Sequence, residues 1–189
     1  MNGEDKSRNI VLSNPFWRFF ISILPSIFAI IIFYILGPEI YTPAVSVLLA
    51  FYFAVGVGWL VSPVLALSSG MHPVGVVIFL VFISSQSSLI VSVNYPLLER
   101  IPSLGLYMER LRRKARNIIE EKERVKKIGY LSIFWLMFLP VYGTGPNVMT
   151  LVGRLLGLKW KTVWLTVTLS AWVRFSIITT LLYFGYLHI

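Results

Sequence analysis

Five apolar stretches separated by polar segments run along the chain, and they predict an all-helical integral membrane protein. Residues 16–36, 74–95 and 162–187 are each long enough to cross a bilayer as one helix, which requires about 20 residues. Residues 43–72 and 128–158 are also apolar, but glycine and proline interrupt both near the middle. The pattern therefore predicts three transmembrane helices and two apolar segments with a broken backbone.

The composition supports this class and limits the chemistry. Of the 189 residues, 57% are hydrophobic and 13% are charged, whereas a soluble domain carries roughly 25% charged residues. The length fits a single membrane domain over residues 1–189. The chain has no cysteine, and its two histidines, His72 and His188, are too few for a metal centre. We therefore expect no cofactor, no metal and no thiol nucleophile.

The two broken segments are predicted to be re-entrant helical hairpins, which enter and leave the membrane on the same side. In the second segment the break runs from Pro140 to Pro146, a sequence that a single helix does not tolerate. The halves on either side have about 12 residues each, or about 18 Å of helix, against a hydrocarbon core of about 30 Å. In the first segment the break is softer, with two glycines and Pro63. A pair of kinked, fully spanning helices is the alternative.

The positions of the basic residues favour the hairpins. Residues 96–127 carry ten bases and five acids, and further bases lie at 6–18 and 154–161. If all five apolar stretches cross the membrane, residues 96–127 lie opposite the other two groups, although bases tend to stay in the cytoplasm. If both broken segments return to their own side, every base except Arg174 is cytoplasmic.

A broken segment followed by a long helix occurs twice, and the two hairpins would enter from opposite faces. Transporters built from inverted repeats show this pattern, and they tolerate irregular backbone at membrane depth where it lines a cavity. Residue-level similarity between the halves is weak. The best anchor aligns Gly70-Met-His-Pro with Gly157-Leu-Lys-Trp.

Residues 103–127 are predicted to form a basic amphipathic helix on the cytoplasmic side. Apolar residues recur there at spacings of three, four and seven, which is a helical stripe. The helix can lie on the inner leaflet with its bases near anionic lipid headgroups. Homodimerisation through the stripe and a hairpin packed under the helix bundle are alternatives. Nucleic acid is not an expected partner because acids are interspersed. The candidate lipid-binding residues are Arg110, Arg112, Arg113, Lys114 and Arg116.

Three segments carry a family resemblance: Tyr95-Pro-Leu-Leu-Glu-Arg-Ile-Pro-Ser-Leu-Gly, Phe138-Leu-Pro-Val-Tyr-Gly-Thr-Gly-Pro-Asn and Gly153-Arg-Leu-Leu-Gly-Leu. Together they resemble the small multidrug export family, which is found largely in archaea and bacteria. The likeness covers about residues 60–187, and its most specific part is Gly143-Thr144-Gly145.

That family is in turn similar to the DedA/VTT membrane proteins, and the resemblance implies their fold and activity. The implied fold has two opposed re-entrant hairpins, here with about three transmembrane helices and the basic amphipathic helix. The implied activity is the movement of lipids or lipid-linked carriers, coupled in some relatives to an ion, here a proton or sodium. The chain departs from the pattern at Tyr142, and its first hairpin lacks the expected acidic-plus-arginine motif.

The break between residues 140 and 147 is the first candidate binding site. Thr144 is placed to cap the helix that begins near Pro146, and the free N–H groups of that helix's first turn favour an anion. Glycine lets a headgroup approach the backbone closely. A purely structural turn is the alternative. The candidates are Pro140, Tyr142, Gly143, Thr144, Gly145, Pro146 and Asn147.

Arg174 is the second candidate, because it is the only charge in residues 162–187 and lies about 12 residues from their start. An arginine at the bilayer centre costs at least about 2.5 kcal/mol, so it should face protein or water. It would bind an anionic substrate group or hold the carbonyls of the break; a purely structural pairing is the alternative. Pro63 is assigned to the same site. Glu39 is a candidate proton site, although an exposed loop acid is the favoured interpretation.

The expected function is that of a membrane transporter or lipid translocase of the cell membrane, which moves an anionic or amphiphilic substrate. The alternative is a non-catalytic scaffold or assembly factor that binds anionic lipids through the basic helix. The sequence has no HExxH motif, no GxSxG motif and no paired carboxylates, so an enzyme is not expected. The polar run from Ser84 to Ser88 is interpreted equally as a packing surface and as a pathway.

Overall fold

The computed structural model describes residues 15–54, 57–99, 123–138 and 145–187, and the regular secondary structure in these ranges is entirely helical. The prediction of an all-helical fold is confirmed for them. The helices of this part of the chain are α1 (Pro15–Ile35), α2 (Pro38–Phe53), α3 (Gly58–Ser68), α4 (Pro73–Glu99), α5 (Glu123–Phe138), α6 (Pro146–Leu155) and α7 (Trp160–Leu187).

Three helices, α1, α4 and α7, are long and apolar enough to cross a membrane, as predicted. Helix α4 is central, because it packs along α7 and also contacts α1, α3 and α6. The core is apolar on both long helices, so close packing of these side chains contributes to the contact between α4 and α7. It includes Val76, Leu80, Ile83, Val163, Val167 and Ala171.

Helix α1 lies at the edge of this arrangement, and most of its side chains are exposed. Ser22 is its one buried residue among those whose side chains are described. Phe33 packs edge-on against Phe79 of α4, with the ring centroids 5.3 Å apart. Lipid tails are as apolar as these side chains, so an exposed apolar surface is stable in a membrane.

Helices α2 and α3 form a tight antiparallel pair. Ser62 Oγ donates a 3.3 Å hydrogen bond to the Val47 carbonyl. Closer to the connection, Gly58 lies against the Phe51 carbonyl. Residues at equal distances from the connection therefore meet, which is the arrangement of a helical hairpin.

Helices α5 and α6 form a second antiparallel pair, whose connection lies outside the described residues. Gly153 lies against Ile133, and Leu158 lies against Gly129. The four short helices have 10 to 16 residues each. They are therefore about 15 to 24 Å long, shorter than a hydrocarbon core of about 30 Å.

The second helix of each pair ends in the same backbone motif. Gly70 follows α3 with φ 83°, and Gly157 follows α6 with φ 73°. After α3, Met71 N–H bonds the Ala66 carbonyl at 3.1 Å; after α6, Leu158 N–H bonds the Gly153 carbonyl at 3.1 Å. These are Schellman caps, in which glycine adopts the left-handed conformation without strain. The two glycines aligned from the sequence thus have the same structural role.

The helix boundaries differ from the predicted segments in two places. Helix α2 begins at Pro38, five residues before the segment 43–72, because proline is favoured in the first turn of a helix. Helix α5 begins at Glu123, inside the predicted basic helix 103–127. The candidate lipid-binding residues Arg110, Arg112, Arg113, Lys114 and Arg116 all lie outside the described residues.

Candidate functional site

Arg174 lies in the middle of α7 and is almost fully buried, with 2% of its surface exposed. Its Nη1 atom donates a 2.9 Å hydrogen bond to the carbonyl of Met137, near the end of α5. Its guanidinium carbon lies 4.5 Å from the centre of the Trp59 ring, in the first turn of α3. Arg174 therefore contacts one helix from each short pair.

Both contacts suit a buried guanidinium. Met137 is the next-to-last residue of α5. Its carbonyl is one of the last four carbonyls of the helix, which accept no hydrogen bond from an N–H group within it. The C-terminal end of a helix carries a partial negative charge that favours a nearby cation. The face of the Trp59 ring attracts the cation electrostatically, more strongly where water is excluded. Arg174 thus has the protein contacts that an intramembrane arginine requires.

Helix α6 begins at Pro146, within the predicted break. Its N-cap residue is Gly145, which has no side chain to cap the helix. The expectation that Thr144 occupies this position is wrong, because Thr144 precedes the cap by one residue. Met149 N–H makes the first bond within the helix, to the Gly145 carbonyl at 3.0 Å. The N–H groups of Asn147 and Val148 come before it and have no acceptor within α6.

The remaining predicted site residues are only partly described. Pro146 and Pro63 are buried, and Asn147 is exposed. Glu39 is exposed in the first turn of α2 rather than in a loop. About 20 Å of helix separates Glu39 from the α2–α3 connection, next to which Trp59 meets Arg174. The structure therefore does not bring Glu39 to Arg174, and Pro140, Tyr142, Gly143 and Thr144 lie outside the described residues.

The polar run of α4 bonds to four different helices. Five consecutive residues point in all directions around a helix, so each can face a different neighbour. These bonds give the run from Ser85 to Ser88 a packing role. The partners are Trp164 and Thr168 on α7 for Ser85, Ser22 on α1 for Gln86, Tyr52 on α2 for Ser87, and Thr150 on α6 for Ser88.

Sequence reasoning missed Trp59, Tyr52 and Thr150 as partners of polar residues. Aromatic residues make up 15% of the chain, so composition does not distinguish Trp59 from the others. The one available signal was its place directly after Gly58, at the break of the first apolar segment. A side chain at that position lies at the end of a short helix, where it can reach a neighbouring long helix.

The comparison with protein families agrees with the sequence motifs. Residues 44–177, more than two thirds of the chain, match the family described as "Putative small multi-drug export protein". The chain belongs to this family. The small multi-drug export family and the three long apolar helices make it a multi-pass membrane protein with a transporter-like role, consistent with the cell membrane. No curated protein and no solved structure matches the chain.

Proposed function

We propose that this protein is a transporter or lipid translocase that moves an anionic or amphiphilic molecule past Arg174, between the two short helix pairs. The observation that carries the proposal is the position of one buried cation against α3 of the first pair and α5 of the second. Because the guanidinium touches both pairs, a group that binds it acts on both at once.

In this proposal the two pairs are re-entrant hairpins that enter from opposite faces, as in DedA/VTT proteins. Their antiparallel packing and their lengths of about 15 to 24 Å support this arrangement, and so does the cytoplasmic position it gives to the bases. Arg174 is the fifteenth residue of the 28-residue helix α7, near its middle. The first turn of α3 and the last turn of α5 both reach that depth.

Arg174 supplies the positive charge that an anionic group needs away from water. The Met137 carbonyl contacts the guanidinium through its dipole, and the Trp59 ring contacts it through its quadrupole. A phosphate or carboxylate is a stronger partner for a guanidinium than a neutral carbonyl is. A substrate anion can therefore compete for the bond to Met137 and loosen the contact between α7 and α5.

The proposal is tested by reconstituting the protein in liposomes and following labelled phospholipid and labelled polyprenyl phosphate, with and without proton and sodium gradients. Arg174→Ala is expected to abolish movement of the substrate. Arg174→Lys keeps the charge but loses the planar stacking group, so it should retain part of the activity. Lys161→Ala, at an exposed base in the first turn of α7, is the matched control.

Thermal unfolding and size-exclusion chromatography in detergent establish that each variant is folded. If folded Arg174→Ala moves substrate at the wild-type rate, the proposed role of Arg174 is wrong. If the wild-type protein moves neither labelled molecule under any gradient, the proposed transport of an anionic amphiphile is wrong.

A further inference from the structure

Ser84 on α4 is fully buried, and its hydroxyl has no hydrogen-bond partner among the described residues. Other hydroxyls of this bundle bond the carbonyl four residues earlier in their own helix, as those of Ser46, Thr166 and Thr168 do. This local bond is the usual solution for a serine or threonine in an apolar helix. Because Ser84 does not use it, its hydroxyl is available to another group.

The contacts between α4 and α6, extended by one turn, place Ser84 on the side of α4 that packs against α6. One turn further along α4, Ser88 Oγ lies 2.6 Å from Thr150 Oγ1 of α6. Further still, the Tyr95 ring lies 4.9 Å from the Arg154 guanidinium, so α4 and α6 run in the same direction. Ser84 is one turn before Ser88 on the same face, and Pro146 is one turn before Thr150. The buried hydroxyl is therefore level with Pro146.

The start of α6 offers donors and no side-chain cap. Helix α6 has 10 residues, its N-cap is Gly145, and the N–H groups of Asn147 and Val148 precede its first internal hydrogen bond. The N-terminal end of a helix carries a partial positive charge and binds anions through such groups. Ser84 adds a donor from a second helix.

We infer that Ser84 and the first turn of α6 form a binding site for a phosphate group. A phosphate has several oxygens in different directions, which suits donors that come from two helices; this inference rests on the proposed function and names the anionic group of its substrate. The Ser84 hydroxyl donates to one oxygen, and the N–H groups of Asn147 and Val148 donate to others. The phosphate belongs either to a lipid headgroup or to a free phosphate ion.

The experiment is isothermal titration of the purified full-length protein, in a maltoside detergent, with two probes. One probe is inorganic phosphate, and the other is dihexanoyl phosphatidic acid, a short-chain lipid with a phosphate headgroup. Ser84→Ala is expected to weaken binding about tenfold or more, since hydrogen bonds to charged groups are among the strongest in proteins. Ser92→Ala is the matched control, because Ser92 is also buried on this face without a partner among the described residues, but lies two turns away from Ser84.

Binding of the lipid alone, with loss in Ser84→Ala only, supports the site and identifies the headgroup as its source. Binding of inorganic phosphate with the same loss supports the site and identifies the free ion. The site is disproved if the wild type binds neither probe, if Ser84→Ala binds like the wild type, or if Ser92→Ala loses as much as Ser84→Ala. Since transport past Arg174 is measured separately in liposomes, loss of this site leaves the proposed function standing.

Discussion

Ser87 and Arg174 occupy equivalent positions, each seventeen residues after the glycine that caps the preceding short helix. Ser87 bonds the hydroxyl of Tyr52, the next-to-last residue of α2, and Arg174 bonds the carbonyl of Met137, the next-to-last residue of α5. Each long helix therefore bonds the C-terminal end of the first short helix in its own half. The two halves share this geometry but not the charge: the first half has the neutral Ser87 at this position, and the second half has the cationic Arg174.

Both ends of the first short pair are expected to lie at the outer face of the membrane. Thr42→Cys and Ser68→Cys place thiols at exposed positions near the start of α2 and the end of α3. Because the chain has no native cysteine, each variant has a single thiol, and both should react with an impermeant reagent added outside. Labelling of the two from opposite sides would establish a full crossing.

A third cysteine controls for sidedness in that experiment. Ser103 lies outside the described residues, within the stretch 96–127 that carries ten bases. It is therefore expected on the cytoplasmic side. Ser103→Cys should therefore react only when the reagent reaches the interior. Reaction of Ser103→Cys from outside would invert the orientation of the whole protein.

Gly58→Ala is expected to disrupt the α2–α3 pair. A Cβ at residue 58 would lie 2.5 Å from the Phe51 carbonyl oxygen and 2.9 Å from that of Ala50. These are backbone atoms, so relief requires α2 itself to move, and we expect a loss of about 3 kcal/mol in stability. The midpoint of thermal unfolding in detergent measures it. Gly75→Ala, where a Cβ meets open space, is the control and should unfold no earlier than the wild type.

Gly153→Ala is expected to cost less, about 1 kcal/mol, because its new methyl group meets side-chain atoms rather than backbone. A Cβ there would lie 2.9 Å from Ile133 Cδ1 and 2.9 Å from Val163 Cγ1. Ile133→Val removes the first of these atoms, so the double variant should regain stability relative to Gly153→Ala alone. Thermal unfolding of the wild type, the two single variants and the double variant gives a double-mutant cycle. If the stability loss of the double variant equals the sum of the two single losses, residues 153 and 133 are not in contact.

Gln86→Leu is expected to loosen α1. Gln86 donates to the Ser22 carbonyl, and apolar contact alone adds little association energy between helices in lipid. Loss of a bond worth about 1 kcal/mol should speed hydrogen exchange in α1 about fivefold relative to α7. Ser88→Ala, which removes a bond to α6 instead, should leave α1 unchanged. Unaltered exchange of α1 in Gln86→Leu would show that other contacts hold it.

The sequence predicted the features that follow from strong local signals. Long apolar runs define α1, α4 and α7, and the lone charge in α7 identified Arg174 as a residue that needs protein contacts. Side-chain partners such as Trp59 were not predictable, because they depend on how separate helices pack and many aromatic residues were available. The start of α2 at Pro38 was missed because proline was interpreted only as a helix breaker, although it is also favoured at a helix start.

The N-cap of α6 is a second feature that the sequence did not predict correctly. The threonine hydroxyl can accept a hydrogen bond from a free N–H group at a helix start, and this favoured Thr144 as the N-cap. The structure places the cap at Gly145, since Pro146 supplies the fixed φ of the first helical residue and the residue before it takes extended backbone, with ψ 162°. Geometry imposed by proline therefore outweighs side-chain preference at this position.

Helix α4 is hydrogen-bonded to four neighbouring helices, so it connects the two short pairs to each other. Tyr52 of the first pair and Thr150 of the second each meet α4 through a hydroxyl-to-hydroxyl contact. Loss of one such contact costs about 1 kcal/mol. A movement of either pair away from α4 therefore has to break a hydroxyl contact with the same helix.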